Sequence, residues 1–113
     1  MIRAGLLLAL LPVLAGADAV NEPADPGFAS CAAYYFLAAR GHGMQDYDRL
    51  YSAGEFALNE AIRRHGDPAA RARMERVSGT MMDEFGRDWR RIEVLDRHYG
   101  APCERLLRDA EFR

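Results

Sequence analysis

Apolar residues recur along most of this chain at three- and four-residue steps, and nowhere in the two-residue alternation of a half-buried strand. Residues 31–40 are apolar almost throughout, from Cys31 to Ala39. A helix apolar around its whole circumference is covered on more than one side. Gly41, His42 and Gly43 interrupt it. Over 45–65, Tyr47, Leu50, Tyr51, Gly54, Ala57, Leu58, Ala61, Ile62 and His65 share one broad face of a second helix. Arg49, Ser52, Asn59 and Arg63 share the other. Gly66-Asp67-Pro68 stops that helix and starts the next, with Asp67 suited to the N-cap and Pro68 to the first helical position. Ser30 or Asp25 is the corresponding cap candidate for the first helix.

The third apolar stripe is the longest. Met74, Val77, Met81, Phe85, Trp89, Ile92, Leu95 and Tyr99 keep phase from end to end, which predicts one helix over 68–99. Gly79 and Gly86 each cost such a helix about 1 kcal/mol relative to alanine, but both fall on its polar side. Gly100 closes it, and Pro102 opens a short fourth helix carrying Cys103, Leu106, Leu107 and Ala110. The fold class that follows is all-α: a small antiparallel bundle of four helices, the third the longest.

The first residues change the picture, because they do not belong to that domain. Arg3, an apolar run over 6–14, and the small-residue sites Ala15-Gly16-Ala17 and Ala17-Asp18-Ala19 have the order of a cleavable secretion signal. Residues 1–19 are therefore expected to be the signal, 20–27 an extended lead-in containing Pro23 and Pro26, and 28–113 one helical domain. The apolar run is too short to span a bilayer. Phe28-Ala29-Ser30-Cys31 loosely resembles a lipidation box, but acids and prolines separate it from the apolar run.

Export in turn gives meaning to the cysteines. Cys31 and Cys103 are the only two, and an oxidising compartment favours pairing them. In the chain-entropy picture so long a loop contributes roughly 4 kcal/mol. The pairing also constrains topology. A strict up-and-down bundle with an unbroken third helix would hold the cysteines beyond the roughly 7 Å Cα limit for bridging. Two arrangements bring them together. In the favoured one the first helix runs roughly in line with the second, kinked at 41–43, and covers 89–99; Tyr51 then meets Met81 or Met82, and Tyr47 meets Phe85 or Gly86. In the other the third helix breaks near Gly86.

The chemistry on offer is sparse. A net charge of −2 over 113 residues gives no reason to expect nucleic acid as a partner. All the basic residues are arginine and none is lysine. His42, Met44, Asp46 and Asp48 share one short segment, yet their spacing matches no metal-ligand pattern. Ser30, Ser52 and Ser78 sit in no nucleophile motif. The expectation is therefore a non-enzymatic exported protein, periplasmic or secreted, with no cofactor and no membrane span after cleavage. It would act by binding another exported protein or a second copy of itself, as inhibitors, immunity proteins, chaperones or assembly partners do. The alternatives are a small-molecule or metal-binding module using the His42 segment and, further off, a small hydrolase. The expected interface is Ala57, Met74, Val77 and Met81 beside Gly54, where two broad apolar faces outrun one neighbour, with Phe56 as a second marker because it stands among polar residues.

N-terminal sequencing of the protein from its native host should find Asp18 or Val20 as the first residue. A chain still beginning at Met1 would overturn the export reading.

Overall fold

The structure, a computed structural model, describes residues 26–112. The expected signal segment, and all of the lead-in except Pro26 and Gly27, lie outside them. Four helices form the domain: α1 Phe28–His42, α2 Met44–His65, α3 Asp67–Glu84 and α4 Ala101–Asp109. Among the described residues there is no strand, and no helix is long and apolar enough to cross a membrane.

Helix α1 is the centre of the bundle. It touches α2, α3, the segment that follows α3, and α4. Its alanines make this packing possible: Ala32, Ala33, Ala38 and Ala39 are buried and bring neighbouring backbones close. No side chain caps its N-terminus, where Gly27 precedes the helix, and Ser30 lies buried inside it. A single residue, Gly43 at φ 87°, joins α1 to α2, a backbone conformation natural to glycine. Gly41 and His42 stay helical. The chain reverses there, so α2 runs back along α1: Phe36 packs on Gly54 and Tyr51, and Arg64 lies over the Phe28 ring at 4.6 Å. The collinear arrangement of the first two helices is thus replaced by a tight hairpin.

Gly66 makes the next one-residue junction, at φ 91°. Asp67 is already helical and caps nothing. Its Oδ1 accepts from Arg71 Nε at 2.6 Å, a surface pair of small energetic value.

The third helix is shorter than its stripe. It ends at Glu84 after 18 residues, so α2, with 22, is the longest. Phe85 and Trp89 fall on separate elements. The stop is a Schellman motif: Arg87 N–H donates to Met82 C=O at 2.9 Å and Gly86 N–H to Asp83 C=O at 3.0 Å, with Gly86 at φ 67°. Arg87 is also left-handed (φ 57°), and its guanidinium is held on Asp83 at 3.0 Å. Asp88 then caps a 3-10 turn, Trp89–Arg91, by accepting from Arg90 N–H at 3.1 Å. Hydrogen bonds from the Arg90 side chain and backbone hold the Asp88 carboxyl below the usual carboxylate range.

The chain now descends beside α1 as a return limb: the 3-10 turn, one α-turn at Glu93–Leu95, a π-turn at Asp96–Gly100, and α4. Gly100 is helical (φ −56°, ψ −56°), so it does not end an element. Pro102 explains the π-turn before it. Proline has no N–H to offer the His98 carbonyl and crowds it, and a widened turn removes that conflict. Contacts along the limb run in reverse order to α1: Trp89 under the Arg40 guanidinium at 4.6 Å, Ile92 on Gly41, Asp96 at Tyr34, and Cys103 at Cys31. The Cys31–Cys103 disulfide closes this pairing, with Cα atoms 5.5 Å apart. The break near Gly86, rather than an in-line first helix, is what brings the cysteines together.

Two glycines sit at close approaches within helices. An ideal Cβ on Gly54 would lie 2.7 Å from Phe36 Cε1, and one on Gly41 would lie 2.5 Å from Ile92 Cγ1. Gly54→Ala and Gly41→Ala should therefore each destabilise by about 1–3 kcal/mol, despite alanine's better helix propensity. Gly79 has no neighbour within 4 Å of that position, so Gly79→Ala should stabilise by up to about 1 kcal/mol. Urea midpoints of the three variants test the packing directly; a stabilising Gly54→Ala would contradict the α1–α2 register.

Candidate functional site

The residues expected at an interface do not form one surface. Ala57 and Met81 are fully buried, inside the core that surrounds α1. The expected uncovered surface depended on α1 lying elsewhere, and α1 packs against both α2 and α3. Met74 and Val77 are half-buried against the same core. Phe56 has a packing partner that its polar surroundings conceal. The C-terminal end turns back through a second Schellman motif: Glu111 takes φ 70°, and Phe112 N–H donates to Leu107 C=O at 3.0 Å. This sets the Phe112 ring 4.9 Å from Phe56.

The uncovered apolar residues lie at the other end of α2. Met44 is 88% exposed, and Tyr47 and Tyr51 are 39% exposed each. Steps of three and four residues put all three on one face. The two tyrosine rings are stacked 5.5 Å apart, and Tyr51 is backed by Phe36 at 5.1 Å. The expected cover from Met81 and Phe85 is absent because both side chains are buried in the core. Sequence periodicity assigned Tyr47 and Tyr51 to the core face. Only their distance from the Gly66 turn, where α2 and α3 are tied, pointed the other way.

On the opposite side of α2 a groove separates it from α4, with α1 as its floor. It contains a cavity of about 450 Å³ lined by Tyr35, Ser52, Ala53, Leu107 and Phe112, with Arg49, Glu104 and Arg108 on the same walls. A second cavity of about 280 Å³ shares Tyr35, Arg49 and Glu104 with it and extends to Tyr34, His42 and Asp96.

At that end two histidines, two tyrosines and two carboxylates form hydrogen-bonded sets. Asp96 accepts from the Tyr34 hydroxyl at 2.7 Å and from His42 Nε2 at 2.6 Å. Glu84 accepts from the Tyr99 hydroxyl at 2.5 Å and from His98 Nδ1 at 2.8 Å. Asp96, His98 and Tyr99 all sit on the π-turn, which ties itself to α1 through Asp96 and to α3 through the other two. The sequence placed His42 beside Met44, Asp46 and Asp48, but the fold sends them to different places. His42 goes to Asp96, Met44 faces outward, and Asp46 makes a 3.4 Å contact with Arg49. Among the described residues no three His, Cys, Asp or Glu side chains converge, and no hydrogen bond links Ser30, Ser52 or Ser78 to a histidine. No protein-family model matches the chain, and neither does any curated protein or any solved structure.

Burial raises the phenol pKa of Tyr34, Tyr35 and Tyr99, reinforced by Asp96, Glu104 and Glu84 respectively. Tyr35 is pushed up to about 12. Each of these phenols stays neutral in the folded chain at a pH where the unfolded chain has already ionised it. Their contribution is thus whole below about pH 10 and is lost as pH rises toward the folded values. The chain has no lysine, and its two cysteines are paired, so tyrosine dominates alkaline titration. At about pH 11 the tyrosinate band should be incomplete, and the remainder should appear together with loss of helical signal. Full ionisation near pH 10 with the helices intact would contradict the buried placement of these rings.

Proposed function

We propose that this is a small exported protein that acts without catalysis, by binding another exported protein or a second copy of itself. The observation that carries the reading is the stripe of Met44, Tyr47 and Tyr51. It is a contiguous apolar face on a domain whose other large side chains are mostly covered. Tyrosine is enriched among residues that dominate binding energy, since it brings a large area with few rotatable bonds to immobilise. Methionine adapts to a partner's relief. Residues spaced as these are match the anchors of helix-mediated recognition. Export rests on the basic, apolar and small-residue order of residues 1–19, and the buried disulfide accords with an oxidising compartment.

Charge placed on this stripe separates binding from folding, because Met44 and Tyr47 contribute little to the core. Sedimentation of the purified protein, or capture of a partner from envelope extract, should reveal a complex. The double variant Met44→Glu/Tyr47→Glu should weaken that complex at least about tenfold and leave the helical signal unchanged. A protein that stays monomeric, and whose captured partners are retained equally by the variant, would overturn the proposal.

A further inference from the structure

Tyr35 is only 7% exposed, yet its hydroxyl has no hydrogen-bond partner among the described residues. Its neighbours differ: Tyr34 donates to Asp96 and Tyr99 to Glu84. A buried tyrosine hydroxyl usually finds a partner, and one without protein partners asks for an explanation. Tyr35 lines both cavities of the groove between α2 and α4. The larger, at about 450 Å³, falls in the size range of ligand sites.

Two guanidiniums share those walls. Arg108 has no ion-pair partner among the described residues, although Glu104 lies one helical turn before it, where such pairs form readily. Arg49 has only its 3.4 Å contact with Asp46. The remaining wall is apolar, formed by Ala53, Leu107 and Phe112. An unsatisfied donor, two available cations and an apolar wall select a ligand with anionic acceptor oxygens on an apolar body. Glu104 on the same lining disfavours a second negative charge. Burial and the field of Glu104 also hold the Tyr35 phenol neutral, and so able to donate, throughout the physiological range.

We propose that the groove between α2 and α4 binds an organic monocarboxylate with an apolar chain or ring, its carboxylate accepting from the Tyr35 hydroxyl and pairing with Arg49 and Arg108. This site lies on the side of α2 opposite the Met44–Tyr47–Tyr51 stripe and does not depend on it.

Calorimetric titration with decanoate below its micellar concentration tests the site, with decanol and decanedioate as controls. Decanoate should saturate at one molecule per chain. Decanol and decanedioate should bind at least about tenfold more weakly, as should decanoate to Arg49→Gln/Arg108→Gln. Tyr35→Phe should weaken decanoate by about three- to tenfold. Because it removes an unpartnered buried hydroxyl, Tyr35→Phe should leave the thermal midpoint unchanged or raise it. The proposal is overturned if decanoate fails to bind, if it coats the protein at many molecules per chain, or if the three variants and controls match it in affinity. A marked fall in the thermal midpoint of Tyr35→Phe would equally overturn it, since that hydroxyl would then already be serving the fold.

Discussion

The fold depends on burying one short helix from every side. Residues 28–39 of α1 offer water almost nothing to hydrate, so the rest of the chain is arranged to cover them. Helix α2 folds back along α1 across a single glycine, α3 packs on it after a second reversal, and the return limb closes the remaining face. What makes this geometrically possible is smallness. Alanines and the glycines at 41 and 54 let neighbouring side chains and backbones approach where a Cβ or a longer chain would collide. Dispersion contacts then accumulate over a large area, although no single one of them is strong.

The return limb is held by different means. It has few fully buried apolar side chains, chiefly Ile92, Leu95, Cys103 and Leu107, and it is a series of short turns rather than one helix. Such segments open at low free-energy cost unless tethered. The disulfide supplies one tether at the N-terminal end of α1. Asp96 and Glu84 supply two more, and each joins a tyrosine and a histidine. Hydrogen bonds to a charged partner contribute about 1.5–3 kcal/mol when desolvated. His42 and His98 are exposed enough that water screens part of this, whereas Tyr34 and Tyr99 are better shielded. The π-turn lets one short stretch send Asp96 toward α1 and His98 with Tyr99 toward Glu84.

Much of this architecture was legible in residue order. Four helices, their all-α class, the pairing of Cys31 with Cys103 and the reversal at Gly66 follow from periodicity, punctuation and cysteine count. The break at Gly86 was legible too, but was outvoted. Gly86-Arg87-Asp88 has the same stop-then-cap logic as Gly66-Asp67. It was masked because Phe85 and Trp89 both face inward on either side of the turn, with rings 5.0 Å apart, so the apolar stripe keeps its phase through a change of direction. Periodicity reports which residues face the core; it is blind to a turn that preserves that facing. The candidate surfaces were harder still to read. Tyr47 and Tyr51 belong to the apolar face of α2 by spacing, and their exposure arises from where α3 lies. Phe56 looked unpaired because its partner, Phe112, reaches it only through the left-handed turn at Glu111.

Both candidate surfaces are consequences of the same central helix. Tyr35 and Phe36 are adjacent on α1 and emerge on opposite sides of α2: Tyr35 floors the groove toward α4, while Phe36 backs Tyr51 beneath the exposed stripe. Gly54 sits directly on the Phe36 ring, so α2 cannot rotate or slide over α1 without a steric clash. Close-packed helices joined in this way move as rigid bodies. A ligand drawing Tyr35 toward the groove would therefore act on the same helix that supports the stripe. The disulfide at Cys31, one turn before Tyr35, limits how far α1 can respond. The two faces are thus mechanically adjacent although they look in different directions, with α1 as the element that both share.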